Sequence, residues 1–231
     1  MKLSIGSLAI VSLVFTAPAM ADGPYLEGQL GYSFIQDVDT NQYSSSGSYG
    51  AYSISGSLNG SIAYDNAFTY GVELGYDRLV NSPIRVGISH SRLKAKLSSA
   101  TVNGSFSVSG PGVSISDSGS LTYNRSALGG AAGAFDNDVS FTALNAYYDF
   151  NKGGAFTPFL GIGLGLADIE NAKDTEWGYA LHAGVQYALN QNVYLGLKGT
   201  YTSINGPTDK LGIPYQDVKV TTLLATVGYK F

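Results

Sequence analysis

The sequence contains no cysteine, only two histidines and few charged residues. The absence of cysteine excludes a disulfide scaffold, a zinc–thiolate site and cysteine catalysis. Charged residues make up 13% of the 231 positions, about half of the ~25% that is usual in soluble domains. At a formal net charge of −4, the chain offers no basic surface to neutralise phosphates, which argues against a nucleic-acid partner.

Long apolar runs are also missing, apart from a short one near the N-terminus. One lysine precedes the apolar run Leu8–Phe15, and small residues follow at Ala19 and Ala21. This three-part pattern predicts a secretory signal peptide over residues 1–21, cleaved after Ala21. The run is far shorter than the ~20 residues that a membrane-spanning helix needs. We therefore expect residues 22–231 to form either a secreted soluble protein or a membrane β-barrel.

Alternation with a period of two dominates the rest of the chain. Apolar residues alternate with small or polar ones in segments of about ten residues separated by turn residues, as in transmembrane barrels. In residues 160–166, for example, leucine and isoleucine alternate with glycine. Eight such segments are found: Tyr25–Ile35, Phe68–Leu79, Ile84–Leu93, Val139–Phe150, Phe156–Ala167, Gly178–Leu189, Val193–Thr202 and Val218–Phe231.

One face of each segment is large and apolar, and the other is small, polar or charged. Small residues fit the narrow lumen of an eight-stranded barrel, and the apolar residues fit a band that faces lipid. Ten residues with a rise of ~3.3 Å, tilted by ~40°, span about 25 Å, the height of the outer-membrane apolar band. The predicted fold is therefore all-β: an eight-stranded, antiparallel, up-and-down transmembrane β-barrel. A soluble secreted β-sandwich with the apolar faces turned inward is the alternative.

Short and long connections between the segments alternate strictly. Short turns occupy residues 81–83, 151–154 and 190–192, and longer connections occupy residues 36–67, 94–138, 168–177 and 203–217. Membrane barrels have short periplasmic turns and long extracellular loops. We therefore expect both chain ends on the periplasmic side and long extracellular loops at residues 36–67 and 94–138.

The two longest loops contain alternating residues of their own. β-Branched and aromatic residues alternate on both sides of Gly110-Pro111-Gly112, and residues 49–64 alternate around Leu58-Asn59-Gly60. We expect each loop to form a hairpin that extends the barrel wall above the membrane. The alternative is a disordered serine- and glycine-rich linker.

Charged side chains on the inward faces are candidate functional residues. Opposite charges in a narrow lumen are expected to pair, because burying either one alone is costly. The residues placed near the periplasmic end are Glu27, Asp77, Arg85, Asp149 and Lys230, and those placed nearer the middle are Glu73, His182 and Lys198. We interpret this set as a polar network that fills the lumen, with a narrow or gated ion path as the alternative.

Aromatic residues cluster at the ends of the predicted strands. They are Tyr25, Phe34, Phe68, Tyr70, Tyr148, Phe150, Phe156, Tyr179, Tyr187, Tyr201 and Phe231. These positions favour the two interfacial girdles of a membrane barrel over a stacking platform for sugars or bases.

The remaining motifs do not support catalysis or metal binding. The segment Asp37–Asn41 begins like a calcium loop, but Gln42 and Ser48 stand where such a loop needs glycine and glutamate. A barrel-borne hydrolase needs a serine or aspartate activated by histidine. We expect His182 in the lumen and His90 near an outer strand end, each with a structural role. The sequence thus predicts neither an enzyme nor a metal or other cofactor.

The C-terminal strand resembles a known assembly signal. Val227, Tyr229 and Phe231 alternate up to the C-terminal phenylalanine, similar to the signal of bacterial outer-membrane barrels. The segments Leu144–Phe150 and Phe156–Gly163 resemble strands of the small Gram-negative outer-membrane barrels, which include opacity, surface-antigen and porin-like proteins. This resemblance implies insertion by the barrel-assembly machinery and a role in envelope integrity, adhesion or immune exposure.

Together these patterns predict an outer-membrane protein with a structural and surface-interaction role, similar to an adhesin or surface antigen. Its expected partners are outer-membrane lipid, the assembly machinery during insertion, and a host or environmental ligand bound through the loops, which are rich in small adaptable residues and tyrosine. A small passive porin-like channel is the first alternative function, and a barrel-borne hydrolase is the less favoured one. The pattern leaves the oligomeric state open.

Overall fold

A computed structural model describes residues 23–77, 82–150 and 156–231. The predicted signal peptide, the turn at residues 151–154, and Leu79 and Asn81 lie outside these ranges. No helix in the described part of the chain is long and apolar enough to cross a membrane.

Strands account for most of the described residues. In chain order they are β1 (Pro24–Ile35), β2 (Val38–Asp39), β3 (Tyr43–Tyr49), β4 (Tyr52–Tyr64), β5 (Ala67–Tyr76), β6 (Ile84–Ala95), β7 (Leu97–Gly110), β8 (Val113–Asn124), β9 (Asn137–Asp149), β10 (Phe156–Ile169), β11 (Glu176–Ala188), β12 (Val193–Ile204) and β13 (Val218–Lys230). A short helix α1 (Arg125–Leu128) and a 3₁₀ helix (Gly129–Phe135) lie between β8 and β9.

Eight strands close a barrel in the order β1, β13, β12, β11, β10, β9, β6, β5. The first strand pairs antiparallel with both β13 and β5, which joins the two ends of the sheet. Closure satisfies every backbone group that would otherwise meet lipid at an open edge. The predicted eight-stranded antiparallel barrel is confirmed, with strand bounds close to those predicted.

Apolar side chains cover the outside of the barrel. Leu144 and Leu164 are each 67% exposed, and Leu197 is 66% exposed. In a soluble sandwich these residues would pack into a core, so the alternative of a secreted sandwich is wrong. The alternation arises because each strand has lipid on one side and a narrow lumen on the other.

The two longest loops build a second sheet beyond the outer end of the barrel. In this sheet β4 pairs with β7, β7 pairs with β8, and both β2 and β3 pair with β4. Because β4 leads into β5 and β7 follows β6, the β4–β7 pair continues the β5–β6 wall. The Asp65 amide donates to the Lys96 carbonyl at 2.9 Å at the junction. Each loop thus forms a hairpin that extends the wall.

The turn of the first hairpin lies at Gly50-Ala51, so its predicted position at Leu58-Asn59-Gly60 is wrong. Gly50 has a φ of +61°, a conformation that glycine adopts without steric cost. Asn59 instead continues β4 and lies directly opposite Asn103 of β7. The second hairpin turns at Pro111-Gly112, as its sequence predicts.

Candidate functional site: the filled lumen and the outer surface

Two carboxylates face each other at the centre of the lumen. Glu27 and Glu73 are direct partners in the β1–β5 register, and they are 2% and 1% exposed. The predicted difference in their heights is therefore wrong, because periodicity does not define the stagger between strands. Lys198 links them, with its Nζ 3.0 Å from Glu27 Oε1 and 3.4 Å from Glu73 Oε2. This cation offsets the repulsion between two buried like charges.

Phenol groups satisfy the remaining oxygens of both carboxylates. Tyr25 and Tyr147 donate hydrogen bonds to Glu73 at 2.5 and 2.7 Å. Tyr194 donates to Glu27 Oε2 at 2.9 Å. A phenol donates a hydrogen bond without bringing a further charge into the lumen. The carboxylate oxygens are therefore hydrogen-bonded without the need for additional cations.

Arg85 forms a second ion pair on the side of this cluster that is nearer the start of β1 and the end of β13. Its Nε and Nη2 donate to the two carboxylate oxygens of Asp149 at 3.3 and 3.4 Å. The guanidinium carbon lies 4.2 Å from the Tyr147 ring centre and 5.1 Å from that of Phe159. Arginine suits this position because its planar group can bind a carboxylate with two nitrogens while stacking on aromatic rings.

A third ion pair connects the strands on either side of β1. Lys230 Nζ on β13 lies 2.5 Å from Asp77 Oδ2 at the end of β5. Asp77 is 1% exposed, whereas the lysine side chain is 21% exposed. The pair therefore lies near the opening of the barrel at which β1 begins and β13 ends, where water still reaches the ammonium group.

Each of four inward aromatic side chains lies over a glycine of the neighbouring strand. The cross-strand partners are Tyr25 with Gly75, Tyr147 with Gly161, Phe159 with Gly184 and Tyr194 with Gly228. A Cβ added at any of these glycines would lie between 2.0 and 2.5 Å from a ring atom. The missing glycine side chains make room for rings that fill the half of the lumen nearer the start of β1 and the end of β13. The prediction that Tyr25 belongs to an interfacial girdle is wrong, since it is 1% exposed inside the barrel.

The two histidines have ordinary hydrogen-bond partners. His182 is 8% exposed in the lumen, with Nδ1 3.1 Å from Thr200 Oγ1 and Nε2 3.2 Å from Asn145 Oδ1. His90 is exposed on the outer face, with Nδ1 2.9 Å from Thr142 Oγ1. Within the described ranges neither ring contacts a serine or carboxylate in the arrangement that an activated nucleophile requires. In the same ranges no group of three acidic or histidine side chains could hold a metal ion.

The outer third of the lumen is apolar, which the sequence analysis missed. Above a layer of hydrogen-bonded hydroxyls, Ser33 with Thr69 and Thr222, lies a cavity of about 250 Å³. The inward apolar residues that line it are Ile35, Leu93, Val139, Ile169, Val218 and Val220. The signal was present in the sequence, because these apolar residues occupy inward-facing positions near the outer ends of their strands.

The second sheet, which the two longest loops form, has one face of hydroxyl groups and one of apolar groups. On the first face, Ser55 bonds Ser107 and Ser57 bonds Ser105, each pair at 2.8 Å between Oγ atoms. The large side chains on the other face stand in solvent: Ile54, Leu58, Phe106 and Ile115 are each between 47 and 55% exposed. No charged residue occurs in β3, β4 or β7, so this surface is almost neutral.

An ion pair attaches the connection after β8 to this sheet. Arg125 Nη1 donates to Asp136 Oδ1 at 2.6 Å and to the Leu97 carbonyl at 3.0 Å. Asp136 Oδ1 also accepts a bond from the Leu97 amide at 3.0 Å. The hydrogen bonds from Arg125 hold the pKa of the Asp136 carboxyl below its usual value. The backbone of Leu97, the first residue of β7, is therefore held at its amide by Asp136 and at its carbonyl by Arg125.

The residues of the predicted assembly signal lie at the end of β13 and directly after it. Val227 and Tyr229 face outward and are 53 and 44% exposed. The rings of Tyr229 and Phe231 are 5.1 Å apart between centroids. The alternation thus presents an apolar edge at this end of the barrel, and its use during insertion stays a prediction.

Comparison with known proteins supports the barrel assignment. A family model described as outer membrane protein beta-barrel domain matches residues 7–231. No curated protein matches the sequence. The Neisserial surface protein A structure is similar at a TM-score of 0.51, with 19% identity over 90% of this chain and 97% of that one. OprG from Pseudomonas aeruginosa also has 19% identity, over 90% of this chain and 96% of that one, at a TM-score of 0.40.

Proposed function

Because the chain belongs to the outer membrane protein β-barrel family, we propose that it is a closed barrel that presents its extracellular sheet to a partner. Family membership places the protein in the outer membrane. The proposed role is structural and surface-interacting, with a host or environmental ligand contacted by β3, β4, β7 and β8.

The composition and exposure of the extracellular sheet carry this proposal. Every residue of β3 is exposed, and in β8 all but Val113 are exposed. A sheet that stands in water with large apolar groups on one face is a recognised mark of an interaction surface. Because the surface is almost neutral, we expect a partner that binds through apolar and hydroxyl contacts rather than through charge.

The filled lumen supports a structural role over a passive channel. The ion pairs of Lys198, Arg85 and Lys230 and the four inward rings fill the half of the lumen nearer the chain ends, and barrels of eight strands have interiors that side chains can fill. The central polar cluster leaves a cavity of about 50 Å³ beside Gln29, Glu73 and Lys198. That volume suits a water molecule or two, which is not a path for solutes.

Shortening both hairpins tests the proposal. Removing residues 44–57 joins Tyr43 to Leu58, and removing residues 104–119 joins Asn103 to Ser120; the residues of each pair are direct cross-strand partners. An Asn-Gly turn at each junction is compatible with a two-residue hairpin. The barrel strands and the Arg125–Asp136 pair remain in this variant.

Adhesion of cells that display the full chain is compared with adhesion of cells that display the shortened chain, on immobilised glycans and matrix proteins. We expect at least a tenfold loss of adhesion, while both chains still change gel mobility on boiling, as folded barrels do. Equal adhesion by the two folded chains would contradict the proposal. Steady single-channel currents from the full chain in a planar bilayer, reduced by Glu73→Gln or Lys198→Met, would instead support a passive channel.

A further inference from the structure

We propose that the apolar cavity at the outer mouth of the barrel, here called the outer-mouth pocket, binds a small uncharged molecule with a mostly apolar body and one hydrogen-bond acceptor. Its volume of about 250 Å³ lies just below the usual range of ~300–1,000 Å³ for small-molecule sites. A compact guest of about ten carbon atoms fits it better than a lipid. This inference does not depend on the adhesive role.

The wall of the outer-mouth pocket comes from five separate barrel strands. Ile35, Leu93, Val139, Ile169 and Val218 belong to β1, β6, β9, β10 and β13, and all of them line the pocket. Water inside such a wall finds few hydrogen-bond partners, so an apolar guest that displaces it gains free energy.

The floor of the pocket is closed. Ala167, Ile169 and Ile204 form a buried cluster against which Phe141 packs. Below that cluster, Ser33 Oγ lies 2.5 Å from Thr69 Oγ1 and 2.8 Å from Thr222 Oγ1. A guest would therefore stay at the outer mouth and would not pass through the barrel.

The charged groups at the rim are already engaged. Asp209 Oδ1 accepts hydrogen bonds from the amides of Leu211 and Ile213 at 2.9 and 2.8 Å. Lys210 Nζ donates to the Glu170 carbonyl at 2.5 Å. The other residues that line the pocket carry no charge, so a charged ligand buried among them would be poorly compensated.

The Tyr64 hydroxyl in the wall is able to donate a hydrogen bond to a guest. Asn137 Nδ2 donates to the Tyr64 hydroxyl at 3.1 Å, and both residues line the pocket. The Tyr64 oxygen is the acceptor of that bond, so its own proton is available for a ligand oxygen. Burial raises the pKa of Tyr64, which keeps this proton in place at physiological pH. A ketone, ester or ether oxygen matches such a donor.

The binding test uses the protein in lipid nanodiscs, because detergent would compete for an apolar pocket. The probes are carvone and limonene, which share a carbon skeleton but differ in one carbonyl oxygen. Binding is measured by equilibrium dialysis, with uptake by empty nanodiscs subtracted. We expect saturable binding of one carvone per protein. Tyr64→Phe should weaken carvone up to tenfold and leave limonene unchanged, since one hydrogen bond contributes roughly that factor.

A pair of matched substitutions tests the location. Ala134 lines the pocket and Ala131, three residues earlier in the 3₁₀ helix, does not. Both alanines are exposed, so neither replacement disturbs a packed core. Ala134→Phe should lower carvone affinity and Ala131→Phe should not. Uptake that never saturates, or equal affinity in the two folded variants, would overturn the proposal.

Discussion

Replacing Lys198 by methionine removes the cation that holds Glu27 and Glu73 together. Glu27 would keep two neutral donors, Tyr194 at 2.9 Å and Gln29 at 3.0 Å. Glu73 would keep its phenol donors and the Arg85 guanidinium, whose Nη1 lies 3.8 Å from Glu73 Oε1. Removing one partner of a buried charge pair typically costs about 3–5 kcal/mol. Because the lysine bonds both carboxylates, we expect Lys198→Met to fall in that range.

A second variant separates charge from packing in the same cluster. Glu27→Gln leaves Lys198 with its contact to Glu73 at 3.4 Å, so its cost should be roughly 1.5–3 kcal/mol, the value of one charge-assisted hydrogen bond. In the double variant one buried charge of each sign is gone. We therefore expect the double variant to be less destabilised than the sum of the two single changes.

The free energies are measured by reversible urea unfolding in lipid vesicles. Trp177, the single tryptophan of the chain, is 57% exposed on the outer face and reports its transfer from lipid to water by fluorescence. Costs below about 1 kcal/mol for Lys198→Met, or strict additivity in the double variant, would refute the reasoning. Either result would mean that water in the lumen screens these charges.

Three further outcomes follow from other contacts. Gly228→Ala should destabilise the barrel by about 1–3 kcal/mol in the same urea assay, because its Cβ would lie 2.0 Å from the Tyr194 ring. The control Gly119→Ala should be neutral, because a Cβ at that position meets nothing within 4 Å. Ile162→Arg, at a site 63% exposed on the lipid face, should cost about 2–4 kcal/mol if it lies near the bilayer midplane, and no change in unfolding would contradict the lipid-facing assignment. Because the pKa of Asp136 is lowered in the folded protein, its carboxylate stabilises the loop at pH values above the usual carboxyl pKa of about 4, and this stabilisation is lost as the pH falls through the lowered value. Asp136→Asn should therefore speed hydrogen exchange at the start of β7 at pH 7. Acid should not speed exchange further in this variant once the pH dependence of the intrinsic exchange rate is subtracted.

The barrel could be predicted because lipid and lumen impose opposite demands on alternate residues of every strand. The heights of Glu27 and Glu73 could not, since alternation indicates which face a residue occupies but not how far neighbouring strands are staggered. Tyr25 is a different case. Its phase along β1 indicates the lumen, but its place at a strand end favours a girdle, and the structure follows the phase.

The outer surface was harder to predict for a similar reason. Asn59-Gly60 has the composition of a tight turn, but cross-strand pairing with β7 keeps it extended, and the turn forms where Gly50 adopts a positive φ. The outer-mouth pocket depends on which strand ends meet across the barrel. That information lies in tertiary pairing and not in any one segment.

The sequence separation of the lumen ion pairs also limits when they can form during assembly. Glu27 and Lys198 are 171 positions apart, and Asp77 and Lys230 are 153 apart, so neither pair can form until the last strands have arrived. A sheet that still lacks β12 would therefore hold Glu27 of β1 without its lysine, and this carboxylate would need water or another protein beside it. Glu27 and Asp77 gain their lysine partners only when β12 and β13 are in place. The polar centre of the barrel therefore stabilises the complete ring relative to any shorter or open form.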